Sequence, residues 1–173
     1  LEFRCVLFRS GIELWGGAVE LYHISITGAQ DDGFDVDSGY HGTVRDLTVV
    51  QTEPGAALIE MTNGGDATVQ RTDWTLDGFS LTASVNQKKE GGIYFKNAGI
   101  GGHFKNGTII HNGGQITPNG ALHSNDVINE ATTSFENVAI TTEIGLDFTG
   151  TSAAALEAAC DDGGAAGNTI TDK

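Results

Sequence analysis

The sequence predicts an all-β chain wound as a right-handed parallel β-helix, a β-solenoid of about five to six rungs that forms part of a longer solenoid. Three observations predict it. Twenty-five glycines against two prolines in 173 residues call for frequent tight turns and disfavour a helical bundle. An apolar-x-x-apolar-x-apolar template recurs along the chain, and a shorter apolar-x-apolar motif alternates with it. Both carry the two-residue period of a strand, in which one side chain turns inward and the next meets solvent.

The opening ten residues, LEFRCVLFRS, read as the translation of a sequencing adapter and are set aside as a non-native segment, residues 1–10. On that reading the remainder is a piece of a longer protein assembled from environmental reads. Cys160 is then the one cysteine left, and no internal disulfide is expected. Residues 11–150 hold the rungs. The short motif appears as IEL at Ile12, FDV at Phe34, IEM at Ile59, IYF at Ile93 and LDF at Leu146, with a weaker copy, ALH, at Ala121. The long template appears as LYHISI from Leu21, VRDLTV from Val44, LDGFSL from Leu76, FKNGTI from Phe104 and FENVAI from Phe135, spaced by 23, 32, 28 and 31 residues.

Units of this length cannot bury an apolar face alone, but stacked units build one continuous core. The preferred handedness of parallel crossovers makes the coil right-handed. Asp46, Asn106 and Asn137 each precede the central apolar residue of their template, which marks a polar position repeated around the coil. The longer spacings after Val49 and Leu81 predict loops leaving the corners, the clearest being NQKKEGG from Asn86. Residues 151–173 form a C-terminal tail, with a short helix expected over Ser152 to Ala159 and disorder after it.

A net charge of −14 repels phosphate backbones and anionic membranes, so nucleic acid is excluded as a partner. No apolar run approaches the roughly 20 residues needed to span a bilayer.

The working face follows from the register. If Phe34 and Val36 point inward, Asp35 and Asp37 point outward, and stacking sets Glu13 and Trp15 on one side of them and Glu60 and Thr62 on the other. Tyr94 and Lys96 extend the stripe. Glu13, Trp15, Glu60 and Tyr94 are the candidate substrate-binding residues, with an exposed indole as a platform for a polysaccharide. The stretch DDGFDVDSGYHG supplies Asp31, Asp32, Asp35 and Asp37 as a candidate metal site. Crowded carboxylates raise one another's pKa unless a cation intervenes, and an all-oxygen set suits calcium. The distal glutamate of an EF-hand is missing, and solvated acids around an Asx turn at Asp31 and Asp32 are the alternative.

No catalytic residue is assigned. His23, His41, His103, His111 and His123 lack the spacing of a zinc site. Arg45 and Lys96 are the few cations a lyase would use as base, and Arg45 reads as an ordinary ion pair. An enzyme should show carboxylates converging in a groove, and a binding module a flat stripe.

The run GIELWGGAVELYHISITGAQDDGFDVDSGYHGTV, Gly11 to Val44, resembles the right-handed parallel β-helices of the pectate-lyase-like class, and within it a family of secreted or outer-membrane proteins of marine bacteria. That resemblance implies the fold and export to the cell surface or beyond. DDGFDVDS is also similar to the NTDGFD segment of polygalacturonases, which would make Asp32 catalytic. Their following paired aspartates have no counterpart in PGAALIEMTNGG, however, and their Arg-x-Lys is absent. The expectation is therefore a binding or structural module for polysaccharide, with a polygalacturonase-like hydrolase or a lyase as the alternative.

Overall fold

A computed structural model describes residues 10–52, 55–63, 70–83, 91–111, 120–142, 148–161 and 167–172. Their strands form two six-stranded sheets. The short motif makes β1 (Ile12–Trp15), β3 (Phe34–Asp37), β5 (Ile59–Met61), β7 (Ile93–Phe95), β9 (Leu122–Ser124) and β11 (Phe148–Gly150). The long template makes β2 (Leu21–Thr27), β4 (Thr43–Gln51), β6 (Asp73–Ala83), β8 (Gly101–His111), β10 (Thr133–Thr142) and, beyond it, β12 (Thr169–Asp172). Successive strands therefore belong to different sheets. Each from β1 to β10 pairs in parallel with the strand two places on, which is the expected β-solenoid.

The inward register matches the alternation read from sequence. Phe34, Val36, Ile59, Met61, Ile93 and Phe95 are fully buried, and Ile12 and Leu14 pack half-buried against the same core. Aromatic rings link rungs through the interior. Trp74 lies 5.8 Å from Phe34 and 6.0 Å from Phe104, and Phe104 stacks on Phe135 at 4.9 Å. Such pairs add about 0.5–1.5 kcal/mol each beyond the area they bury.

The two consecutive outward positions of the long template have a backbone cause. His23, Asp46, Asn106 and Asn137 all have positive φ, between 54° and 59°, and Gly78 takes the equivalent place in β6. One left-handed residue per rung returns the next side chain to the core, which explains the repeated polar position. Asn, Asp, His and Gly tolerate that region best. The ladder is also bonded between rungs, as the Asn137 amide donates to Asn106 Oδ1 at 2.9 Å and His23 Nδ1 lies 2.7 Å from Asp46 Oδ2.

Gly33 precedes β3 for steric reasons. A Cβ there would lie 2.4 Å from Val49 Cγ1 and 2.6 Å from the Leu58 carbonyl, so the turn before β3 can sit directly on the next rung.

Three local readings need correction. In the ALH copy the inward residues are Leu122 and Ser124, paired with Ile93 and Phe95, and His123 points outward. In the LDF copy Phe148 takes the first inward place, opposite Leu122, and Gly150 the second; Leu146 lies outside the described residues. The ALH slip arises because the pairing register, which the short motif does not encode, decides which of two adjacent apolar residues is inward, whereas in the LDF copy Phe148 stays inward as expected and takes the first place of the strand. The tail also differs from expectation. It forms α1 (Ala153–Cys160) and then β12, whose Ile170 pairs with Ile140. Leu156 and Cys160 of α1 are buried against the core, and β12 satisfies backbone groups that β10 would otherwise leave at an open edge. The loop from Asn86 to residue 90 and the opening residues 1–9 lie outside the described residues.

Candidate functional site

In-register pairing of the short-motif sheet aligns Glu13, Asp35, Glu60, Tyr94, His123 and Thr149 in one outward column. Trp15 pairs with Asp37 beside it. Backbone bonds from Thr62, Lys96 and Asn125 to the rungs below continue this second column. The stripe expected from the sequence is therefore present, and His123 and Asn125 join it.

Its solvation is not what the alternation predicts. Glu13 is exposed and Trp15 is 70% exposed, whereas Asp35 is 8%, Glu60 4%, Tyr94 4% and His123 8% exposed. A flat, water-facing row of acids does not describe this face. The turn before β3 contributes to the enclosure. Asp32, 6% exposed, accepts a 2.8 Å hydrogen bond on Oδ1 from the Ala57 backbone N–H, fastening this turn to the one before β5.

The result is a convergence of three carboxylates. Oxygens of Asp32, Asp35 and Glu60 all lie within 4.8 Å of one another. Burial pushes the Asp35 carboxyl up to about 8, helped by the charges of Glu60, Asp32, Glu13 and Asp37. Asp35 Oδ1 is buried with no hydrogen-bond partner. Glu60 Oε1 is 2.8 Å from the Lys96 ammonium, the cation at this site among the described residues. Arg45 is elsewhere, paired with Asp77 at 3.2 Å on the other sheet.

Two of the four expected metal ligands belong to the cluster. Asp31 and Asp37 lie outside it among the described residues. Asp31 is held by its backbone carbonyl, which accepts from Gln51 Nε2 and from the Ala56 N–H. Asp37 accepts from the Ser38 N–H in a local turn. Glu60 takes their place, which linear density of aspartates could not reveal because it sits one rung away.

Further along the column, Tyr94 and His123 stack at 5.3 Å. Asn125 donates to the Tyr94 hydroxyl, and His123 Nδ1 lies 2.9 Å from Thr149 Oγ1. Burial lowers the His123 pKa, favouring a neutral ring. At the other end the Trp15 Nε1–H donates to Glu13 Oε1 at 2.6 Å, which orients the exposed indole. On the opposite sheet His103 Nδ1 lies 2.9 Å from Ser134 Oγ, a pair that sequence spacing did not reveal. Among the described residues no carboxylate orients that imidazole, so the pair lacks the third member of a hydrolytic triad.

Over residues 8–172 the chain matches a family described as a pectate-lyase like β helix domain, a span that begins inside the segment read as an adapter and continues through the tail. No curated protein and no solved structure matches it.

Proposed function

Because the chain belongs to the pectate-lyase-like β-helix family, we propose that it is a polysaccharide-binding module of a secreted or cell-surface protein. The observation that carries this reading is Trp15, an indole 70% exposed and oriented by its bond to Glu13 at the end of a polar column. A fixed aromatic face packs against the C–H face of a sugar ring with little loss of side-chain entropy. Half-buried Asp37 and exposed Lys96 and Asn125 of the second column offer hydrogen-bonding groups to the hydroxyls. The net charge of −14 favours neutral over acidic polymers at low ionic strength.

A second reading, polysaccharide hydrolysis, is favoured by the convergence of Asp32, Asp35 and Glu60. Paired carboxylates with separated pKa values are what general acid and base need. Against it stands their enclosure, since side chains 4–8% exposed leave a sugar ring no approach between them. Affinity electrophoresis on a panel of neutral and acidic polysaccharides tests the binding reading. Retarded migration that is lost in Trp15→Ala is the expected result. Release of reducing ends or of unsaturated uronate absorbance that disappears in Asp32→Asn would overturn it in favour of the enzyme.

A further inference from the structure

We propose that Asp32, Asp35 and Glu60 form an enclosed calcium site whose ion ties two neighbouring turns of the coil together, acting on the fold and not on a bound glycan. The site differs from the one expected along Asp31 to Asp37, because its ligands come from a turn, from β3 and from the neighbouring β5. It stands independently of polysaccharide binding.

Two separate observations support it. The first is geometric. The three carboxylates approach within 4.8 Å of one another, and oxygens around one calcium at about 2.3–2.6 Å can be up to about 5 Å apart across the shell. The second is the buried Asp35 Oδ1, which has no hydrogen-bond partner although its side chain is more than nine-tenths buried. Buried carboxylate oxygens are ordinarily paired, hydrogen-bonded or bound to metal.

Charge agrees with the geometry. Among the described residues, the three carboxylates and the ammonium of Lys96 leave two negative charges when all are ionised, which one divalent ion neutralises. The donor set selects the ion. Among the described residues no histidine or cysteine joins the cluster, so zinc and copper lack their preferred ligands. Calcium also tolerates irregular carboxylate geometry better than magnesium, which demands a near-ideal octahedron. Enclosure assigns the role, because ligands this buried hold an ion below the face and away from a polymer lying on it.

Chelator-stripped protein is titrated calorimetrically with calcium chloride and, separately, magnesium chloride, and its thermal unfolding is followed at each concentration. Saturable binding of one calcium per chain is expected, with a Tm that rises with calcium concentration. Asp35→Asn and Glu60→Gln should each weaken calcium by at least about 100-fold, no less than losing an outer-shell partner costs. Asp126→Asn, an equal loss of charge at an exposed position, should leave affinity unchanged, as should Trp15→Ala. Absence of heat and of thermal shift at millimolar calcium overturns the proposal, and the wild-type titration alone suffices for this if a variant misfolds. An unchanged response in both Asp35→Asn and Glu60→Gln overturns it as diffuse counterion attraction, and magnesium binding as tightly as calcium overturns the choice of ion. Loss of glycan binding in Trp15→Ala with calcium binding intact bears on the function and not on the ion.

Discussion

Replacing Phe34 with alanine should destabilise the coil by about 3–5 kcal/mol. Phe34 is fully buried at the start of β3, and its ring stacks on Trp74 from the other sheet at 5.8 Å with 25° between the planes. The magnitude has two parts: transfer of the ring to water together with the cavity left behind, and the ring pair itself, about 0.5–1.5 kcal/mol. Gly33 beside it already sits against Val49 and the Leu58 carbonyl, so the rung has little freedom to collapse into the void. For a chain of this size the loss corresponds to a Tm lower by roughly 6–20 °C. Urea denaturation of wild type, Phe34→Ala and the exposed control Trp15→Ala measures it, with the control expected within about 0.5 kcal/mol of wild type. Because Phe34 and Val36 anchor the strand on either side of Asp35, the variant should also weaken calcium without removing a ligand. A loss below about 1 kcal/mol, or one equal to that of Trp15→Ala, would refute the inward register of β3 and with it the outward column.

Other outcomes follow from the same packing. In chelator, Asp35→Asn should raise stability by roughly 2 kcal/mol, because it removes a buried charge beside other carboxylates, one of whose oxygens, Oδ1, has no hydrogen-bond partner; a chemical melt in chelator measures it. Gly33→Ala should cost more than about 2 kcal/mol, since its Cβ meets backbone at 2.6 Å, and the urea midpoint reports this. Burial lowers His111 from 6.5 to about 4. Between these values the unfolded chain binds the proton and the folded chain does not, so stability falls as pH drops from about 6.5 to 4, by at most about 3 kcal/mol. Tm measured over that window should show a slope that His111→Gln reduces.

Sequence by itself determined the coil and the contents of its faces. Strict alternation around Ile12, Phe34, Ile59 and Ile93 left one side of the short strands apolar, and five copies of the long template set the rung length. Even the left-handed ladder was visible as a polar residue before the central apolar one. These features are local, because a strand's period and a turn's φ are properties of neighbouring residues. What only tertiary structure decided lies between rungs. Ser124 and Gly150 fill inward places that an apolar pattern does not mark, and Ile170 returns from the tail to pair with Ile140. Glu60 stands 25 positions after Asp35 in the sequence, yet the register makes them adjacent. Four clustered aspartates therefore marked two members of the carboxylate cluster, Asp32 and Asp35, and not the third. Burial was the least legible property, since Asp35 and Glu13 occupy equivalent outward positions but one is enclosed and the other exposed. Alternation states which way a side chain points; what covers it depends on turns brought from other rungs, and so on the whole coil.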